Sequence, residues 1–502
     1  MKNIINKSFI IGLLVCLSAC ADLDEQPVGL LSPEALFTTS GDVEVAIFGA
    51  YGWIANEKFY GRQYTSALML RSDMVDIGDR GTPAERQQVN DFNMDADNGM
   101  VRVFWPTVYQ TISAANAAIA GAESLNLSEE EINPLIAEAR FIRAFCYYHL
   151  VRTFGDIPYI DFFINDPETV RDISKTPASE VYTGILEDFE FAKEWLPDMH
   201  DGDLRSRATK GSAGSYLASV HLTLENYPQA YEEAKWVIDN KERFNYALEE
   251  DFQNLFRAEM ADNLREHIFA IDFLGQISVG DADDDILGSM TGIRGAEPSG
   301  WSVSVPSMEV YNTWDDRDYR KEVSFEDSAI MGGVLEPYTE FVNTQRPHIA
   351  KYTRFPGVVG GEYRNSDTNY PAMRYAEVLL IAAEALAETS GATEEAIGYV
   401  NQIRERARNW PGENSTFPED VAEEIGASEF IDLILEERRL ELAFEFKRWY
   451  DIKRRRLGEE VFKGPNSLEP HPNFDPNRDY LMPLPQVELN VNPNLRPQNP
   501  GY

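Results

Sequence analysis

The stretch "LASVHLTLENYPQAYEEAKWVI", residues 217 to 238, contains two helical patterns separated by a short break. Ala218 lies in the first pattern, and Tyr227, Ala230, Ala234 and Val237 follow one another at helical spacing in the second. Small and aromatic side chains at this spacing let two antiparallel helices approach closely. The stretch therefore predicts a closely packed helix pair.

The same offsets return in "GATEEAIGYVNQI", residues 391 to 403, where Ala396, Val400 and Ile403 occupy the corresponding positions. One such match is weak, because alanines at helical spacing are common. Two matches, each on the second helix of a pair, predict tetratricopeptide-like helix pairs interrupted by insertions. The fold is expected to be mainly α.

Apolar periodicity extends this interpretation to eight long helices. They are predicted near residues 104–121, 133–154, 178–195, 208–224, 227–240, 372–389, 392–408 and 427–454.

The last of these helices contains a dense run of charges, "EERRLELAFEFKRWYDIKR", residues 436 to 454. Three oppositely charged pairs are spaced three or four residues apart in it: Glu436 with Arg439, Glu445 with Arg448, and Lys447 with Asp451. Side chains at these spacings meet along a helix surface. We interpret the run as scaffold and not as a catalytic site.

Two long segments rich in Gly, Pro, Asp and aromatic residues separate the helices, residues 58–103 and 273–370. Uncommonly long loops in a compact chain are usually functional. Any binding surface is therefore expected there. The C-terminal tail from residue 481 lacks periodicity and is expected to lie on the surface as extended chain and turns.

The N-terminus is typical of an exported lipoprotein. Lys2 and Lys7 precede a short apolar run, followed by "LSAC" ending at Cys20. Nine apolar residues are too few for a membrane-spanning helix, which needs about 20. Residues 1–19 are predicted to be a signal peptide. The sequence up to Cys20 resembles a bacterial lipobox, whose cysteine carries the lipid that anchors the protein; the alternative is an ordinary secretory signal with a chance cysteine.

Composition excludes several classes of protein. The formal net charge of −39 makes nucleic acid a poor partner, while 43% hydrophobic residues suffice for a large core. Of the three cysteines, Cys16 leaves with the signal peptide and Cys20 is the lipid site, so Cys146 has no partner. We expect no disulfide, no thiolate metal site and no cofactor.

Catalytic motifs are missing from the sequence, which has no G-x-S-x-G, H-E-x-x-H, P-loop or G-x-G-x-x-G pattern, and its six histidines are scattered. We therefore expect that this protein is not an enzyme. The acidic run "DADDDILGSMTG", residues 281–292, has Ile286 and Gly292 where a calcium-binding EF-hand loop has Gly and Glu. A looser calcium site there stays open, beside the simpler interpretation as a solvated loop.

Several stretches, in order, resemble the SusD/RagB family of surface lipoproteins from Bacteroidetes nutrient-uptake systems. After the Cys20 region come "AEARFIRAFCYYHLVRTFGDIPYI" (137–160), "ATKGSAGSYLASVHL" (208–222), "YPAMRYAEVLLIAAEALAE" (370–388), "LILEERRLELAFEFKRWYDIKR" (433–454) and "LMPLPQVELNVNPNLRPQNPGY" (481–502). Together they cover nearly the whole mature chain.

The resemblance implies a tetratricopeptide-like scaffold with a loop-rich, variable binding face. It implies a protein exposed at the cell outer membrane that binds a glycan and caps a SusC-like TonB-dependent β-barrel transporter. The implied organisation is a signal peptide (1–19), an N-terminal SusD-like part (20–230) and a C-terminal part (231–502) that contains the 273–370 insertion. The mature parts are expected to form one compact unit.

The resemblance places the ligand surface in two loops, about residues 72–105 and 276–305. Trp301 follows Gly300 in "GIRGAEPSGWSVSVP", a stretch too rich in Gly and Pro for a regular helix. Two interpretations of its ring stay open, an exposed platform for stacking on a sugar and a ring tucked under its own loop. The polar contacts and a second ring are predicted to come from Arg294, Asp97, Asn98 and Trp105, although Trp105 also fits a core position.

Two other functions fit the same sequence. One is uptake of a peptide or protein with the same scaffold and partner, and the other is a helical-repeat assembly scaffold without a small ligand. Exposed loop aromatics favour a ligand-binding role over the assembly scaffold.

Overall fold

The computed structural model describes residues 36–166, 168–202, 204–275, 285–412 and 415–502. The predicted signal peptide and Cys20, the predicted lipid site, lie outside these residues. The first half contains nine α-helices in these ranges, and α6 is a single turn. They are α1 (Ser40–Ala55), α2 (Gln63–Leu70), α3 (Ala84–Asn90), α4 (Gly99–Ser124), α5 (Glu129–Phe154), α6 (Glu168–Arg171), α7 (Ala178–Trp195), α8 (Lys210–Thr223) and α9 (Tyr227–Asp239).

The second half adds three short helices and then the C-terminal helices. They are α10 (Leu287–Thr291), α11 (Met308–Thr313), α12 (Tyr319–Ser324), α13 (Tyr375–Ser390), α14 (Glu394–Ala407), α15 (Ala427–Glu441), α16 (Arg448–Arg454), α17 (Gly458–Lys463) and α18 (Gln486–Val491).

Neighbouring helices pack in one continuous series, from α1 through α4, α5, α7, α8 and α9 to α13, which also contacts α14 and α15. The small residues that predicted this packing lie at the contacts, since Ala230, Ala234, Ala396 and Val400 are fully buried. A Cβ atom on Gly214 of α8 would lie 2.8 Å from the ring of Trp236 on α9. The predicted mainly α fold of helix pairs is confirmed.

Strands are short and few in the described part of the chain, where they form four two-stranded antiparallel sheets. These are β1 (Val75–Ile77) with β3 (Ser304–Pro306), β2 (His267–Ile271) with β8 (Tyr370–Arg374), β4 (Phe325–Glu326) with β7 (His348–Ile349), and β5 (Ser328–Met331) with β6 (Val334–Pro337). The β1–β3 sheet joins the two segments that the sequence predicted to form the binding surface.

The prediction of one helix at 427–454 is wrong in its middle, because the helical conformation is interrupted between α15 and α16. Phe444 and Phe446 have φ angles of 65° and 66°, which no helix allows. Both rings are buried, Phe444 edge-on to Phe325 and Phe446 stacked with Tyr352. A continuous helix would send side chains two residues apart to different faces, so the strained backbone is stabilised by burying both rings.

Only one of the three local ion pairs predicted in this stretch forms. Glu436 pairs with Arg439, with 2.7 Å between Oε2 and Nε. The other two predicted pairs are wrong. Glu445 pairs with Arg374 and Lys351, Arg448 with Asp73, and Lys447 with Glu377, all far away in the sequence, while Asp451 pairs with Arg438 of α15 and with Arg454 of its own helix. The run is scaffold, but it stabilises tertiary structure more than its own helix.

A buried cluster of ions surrounds Glu441 at the end of α15. Its carboxylate accepts hydrogen bonds from Arg374 at 3.0 Å, from Arg320 at 3.3 Å and from Arg406. All four residues are at most 5% exposed. The three guanidinium groups hold the pKa of Glu441 well below its usual range despite burial, so the carboxylate is charged in the folded protein.

Residues near the two ends of the chain pack against each other. The hydroxyl groups of Tyr64 and Tyr450 lie 2.7 Å apart, and Arg448 makes two hydrogen bonds to Asp73 at 2.7 and 2.8 Å. Arg71 forms a salt bridge of 3.7 Å with Asp479. The C-terminal segment therefore packs against the chain at α2 and just after it. It also contains the short helix α18, where only extended chain and turns were predicted.

Candidate functional site

The loop after α10 fixes the position of Trp301 through backbone hydrogen bonds. The Trp301 N–H donates to the Ser289 carbonyl at 2.7 Å, and the Ser302 N–H donates to Gly292 at 2.8 Å. The Gly300 N–H closes the turn with a bond of 2.8 Å to Ile293. Trp301 is thus part of a rigid loop anchored to α10.

Close contact between two glycines makes this loop possible. A Cβ atom on Gly300 would lie 2.3 Å from the carbonyl carbon of Gly292, well inside any allowed contact. Only glycine fits at position 300.

A buried hydrogen-bond chain supports the loop from below. Ser302, with a φ of 51°, accepts from the Arg294 N–H at 2.8 Å and bonds to His348 Nε2 at 2.8 Å. His348 Nδ1 lies 2.9 Å from the Arg346 carbonyl oxygen, which can only accept, so Nδ1 carries the proton and Nε2 accepts from Ser302. Burial lowers the pKa of His348 to about 4, which keeps the ring neutral at pH 7.

The Trp301 ring itself is half-buried and has charged groups around it. Its Nε1–H donates to the Glu362 carboxylate at 3.0 Å, and the guanidinium carbon of Arg364 lies 5.2 Å from the ring centroid. Arg364 also pairs with Glu362 at 3.5 Å. The ring therefore borders one exposed ion pair directly.

A second ion pair is tied to the chain at Ser302, the residue after Trp301. Arg294, whose side chain is half-exposed, pairs with Asp79 from the loop after β1. The Asp79 N–H donates to the Ser302 carbonyl at 2.7 Å, which connects this pair to the residue after Trp301. The two predicted loops meet at this contact, because Asp79 belongs to 72–105 and Arg294 to 276–305.

The structure does not bring Asn98 to this surface. Its Oδ1 accepts from the Met100 N–H at 3.0 Å and its Nδ2 donates to Glu85 and Gln88, so the buried side chain is the N-cap of α4. An Asn just before an apolar periodic run is a recognisable helix start, and this signal could have identified the cap from the sequence. Asn98 is not available to a ligand here.

Trp105 and Asp97 also lie apart from Trp301 in the described contacts. Trp105 is 4% exposed and packs against Phe154 and Tyr109, so it is the core residue that its helical position also allowed. Asp97 is exposed, and its backbone N–H donates to Asp95 at 2.9 Å. A role for Asp97 in binding stays a prediction.

Sequence reasoning did not identify Asp79, Glu362 and Arg364 at this surface, or His348, which is buried beneath its loop. Each comes from a segment that is distant from Trp301 in the sequence or separated from it by an irregular loop. No local pattern marks such residues, since only tertiary packing brings them together.

The acidic run gives no metal site in the described residues. Asp281 and Asp283 lie outside them, and Asp285 is buried, with hydrogen bonds from Ser366 and Tyr370. Within the ranges that the structure describes, no group of three or more His, Cys, Asp or Glu residues could hold a metal ion. The same ranges contain no helix that is both long and apolar enough to cross a membrane.

Comparison with known proteins supplies the family. The family model described as "SusD family" matches residues 302–502, and the one described as "Starch-binding associating with outer membrane" matches residues 32–222. The "SusD-like protein P2" of Formosa agariphila is 52% identical over 98% of this chain and 98% of its own length.

Solved structures share the fold at lower sequence identity. A SusD homolog from Bacteroides thetaiotaomicron has a TM-score of 0.81 at 19% identity, over 94% of this chain and 98% of its own. Surface glycan-binding protein A from the same organism, solved in complex with laminarihexaose, has a TM-score of 0.76 at 19% identity, over 92% of this chain and all of its own.

Proposed function

This chain belongs to the SusD family, and we propose that it captures a glycan at the cell surface through Trp301 and the two ion pairs beside it. Members of this family are binding proteins and not enzymes, and a protein of the same fold binds laminarihexaose. The observation that carries the proposal is the half-buried indole ring of Trp301 on a rigid loop. The ion pair Glu362–Arg364 borders this ring, and the ion pair Arg294–Asp79 is bonded to the next residue of the loop, Ser302.

This arrangement suits a sugar. The C–H face of a pyranose ring packs on an indole, while carboxylates accept hydrogen bonds from its hydroxyl groups and guanidinium groups donate to them. The loop is already held by backbone hydrogen bonds, so little conformational entropy is lost when the ligand binds.

We expect Trp301→Ala to weaken glycan binding at least tenfold, about 1.4 kcal/mol, because the stacking surface is lost. Titration calorimetry with laminarihexaose, maltohexaose and a panel of longer polysaccharides would identify a ligand and measure this change. Trp301→Phe should retain part of the affinity, since it keeps a ring but loses the N–H donor.

Trp53→Ala is the matched control, because Trp53 on α1 is also partly exposed, at 38%, and lies outside the loop. Its affinity should equal that of the unchanged protein. Equal binding by Trp301→Ala would remove Trp301 from the site. Binding of peptides but of no glycan in the panel would support the peptide-uptake alternative.

We further infer that lipid on Cys20 holds the protein at the outer membrane, where it passes its glycan to a SusC-like TonB-dependent transporter. The signal peptide and the cysteine at its cleavage site support the anchor. The matching family description, which names association with the outer membrane, supports the location.

Cys20→Ala should release a folded, soluble protein, while Cys16→Ala, which changes only the signal peptide, should leave it membrane-bound. After mild detergent extraction, the anchored protein should co-purify with a large β-barrel protein. Retention of the Cys20→Ala protein in membranes would contradict the anchor. Recovery of the anchored protein without any partner would contradict the transporter complex.

A further inference from the structure

A second concave surface lies between α4, the chain at residues 158–160 and 168–173, and the C-terminal helix α18. It is a cleft of about 520 Å³. Most of its lining side chains are apolar, among them Trp105, Tyr109, Val170, Ile173, Val491 and Leu495. None of the residues around Trp301 lines it, so it is separate from the proposed glycan site.

The cleft is preformed. Its floor is held by the packing of Trp105 on Tyr109, with 5.0 Å between ring centroids, and by the hydrogen bond of 2.8 Å that the Tyr109 hydroxyl donates to Pro158. Its walls are joined by Asn492, whose side chain donates to the Ile173 carbonyl at 2.8 Å. An apolar surface of this kind keeps its shape when nothing is bound.

Glu488 is the unusual residue of this cleft. Its side chain is half-buried among apolar neighbours, and burial raises the pKa of its carboxyl group. Among the residues that the structure describes, no cation forms a salt bridge with Glu488. The nearby Arg171 does not compensate it, because Arg171 pairs with Glu168 at 2.9 Å.

A carboxylate that loses water without gaining a cation is destabilised, so an incoming positive charge would be favoured at this point. The rest of the surface favours an apolar group, since Val491 is 73% exposed and Val487 is 44% exposed on the same short helix. The formal net charge of −39 attracts basic partners over longer distances.

We propose that this cleft docks a polypeptide segment of a partner protein in which apolar side chains alternate with lysine or arginine. The apolar side chains fill the cleft beside Val491 and Tyr109, and the cation pairs with Glu488. The Trp105 ring is buried and offers a sugar no stacking face, and the half-buried Tyr109 is the one other aromatic ring that lines the cleft.

Fluorescence polarisation with three labelled eight-residue peptides would test the proposal at 150 mM salt, where long-range charge effects are screened. One peptide alternates Leu with Lys, one Leu with Glu, and one Ser with Lys. We expect the Leu–Lys peptide to bind at least tenfold more tightly than the other two. Glu488→Lys should reverse the preference towards the Leu–Glu peptide, and Val491→Ser should weaken Leu–Lys binding about threefold.

Glu130→Gln is the control, since Glu130 is exposed on α5 and does not line the cleft. It should leave all three affinities unchanged. If Glu488→Lys does not fold, as judged by circular dichroism, Glu488→Gln should still weaken Leu–Lys binding at least fivefold. The proposal is overturned if Leu–Lys and Ser–Lys peptides bind equally, if the Glu488 variants keep the original preference, or if laminarihexaose displaces the Leu–Lys peptide.

Discussion

Glu441→Gln is expected to lower the free energy of unfolding by about 3 to 5 kcal/mol, the largest stability effect that we predict for a single substitution. Glutamine has the same volume as glutamate, so the change removes a charge and leaves the packing as it was. Three buried guanidinium groups would then each lose their salt bridge to residue 441, in a part of the core that excludes water. They belong to Arg320, Arg374 and Arg406. An uncompensated buried cation is costly because no solvent replaces the missing partner.

The matched control is Glu436→Gln on the same helix. Glu436 also pairs with an arginine, but its side chain is 52% exposed, so we expect a loss below about 1 kcal/mol. Urea unfolding followed by circular dichroism at pH 7 would compare the two variants with the unchanged protein. Similar losses for both would show that burial does not determine the contribution of Glu441.

Gly300→Ala is expected to abolish the ordered position of Trp301 and to reduce glycan affinity at least tenfold, although the indole ring is retained. The new methyl group would lie 2.3 to 2.4 Å from backbone atoms of Gly292, so the two chain segments must separate. Separation breaks the hydrogen bonds from Gly300 to Ile293 and from Ser302 to Gly292. The ring then loses its fixed place beside Glu362.

Hydrogen exchange gives a readout for Gly300→Ala that needs no ligand. Amide exchange at Gly300 and Ser302 should accelerate at least tenfold, while the global melting temperature changes little, because the loop is a local feature. Gly361→Ala is the control, since a Cβ atom at Gly361, next to Glu362, meets nothing within 4 Å. Unchanged exchange in Gly300→Ala would show that the loop can adjust around the methyl group.

The helix pairs could be predicted from the sequence because their packing follows local periodicity. The predicted bounds of the helix at 178–195 agree with α7, and those at 227–240 agree with α9 to within one residue. Helix α1 was not predicted, because apolar residues occur all around it: Ile47 is buried while Val45 is 70% exposed. Amphipathic periodicity identifies a helix only when one of its faces is polar.

The break at Phe444 and Phe446 could not be predicted for a different reason. Its cause is the position of Phe325, Tyr352 and Arg374, which lie about 70 to 120 residues earlier in the sequence. Local spacing predicted pairs for Glu445 and Lys447 that tertiary partners replaced. Charge spacing along a helix shows which side chains can meet, but in the core a tertiary partner can replace the local one.

The candidate site, too, was predicted from the sequence only in part. The two loops were correctly expected to be neighbours, and Arg294 and Trp301 lie where these loops meet. Asn98 and Trp105 were grouped with them because they share a loop-rich region of sequence, although Asn98 is the N-cap of α4 and Trp105 lies within that helix. Membership of a segment does not determine which side chains reach the candidate surface.

The contacts between the two ends of the chain also determine the order in which the molecule can fold. Arg71, Asp73 and Tyr64 are made early in synthesis, yet their partners Asp479, Arg448 and Tyr450 come about 380 to 410 residues later. Contacts of such separation form late and slowly, because the loop between them must close first. The helix pairs of the first half can pack on one another earlier, but the segment from Tyr64 to Asp73 is covered only after residues 448 to 479 have been synthesised.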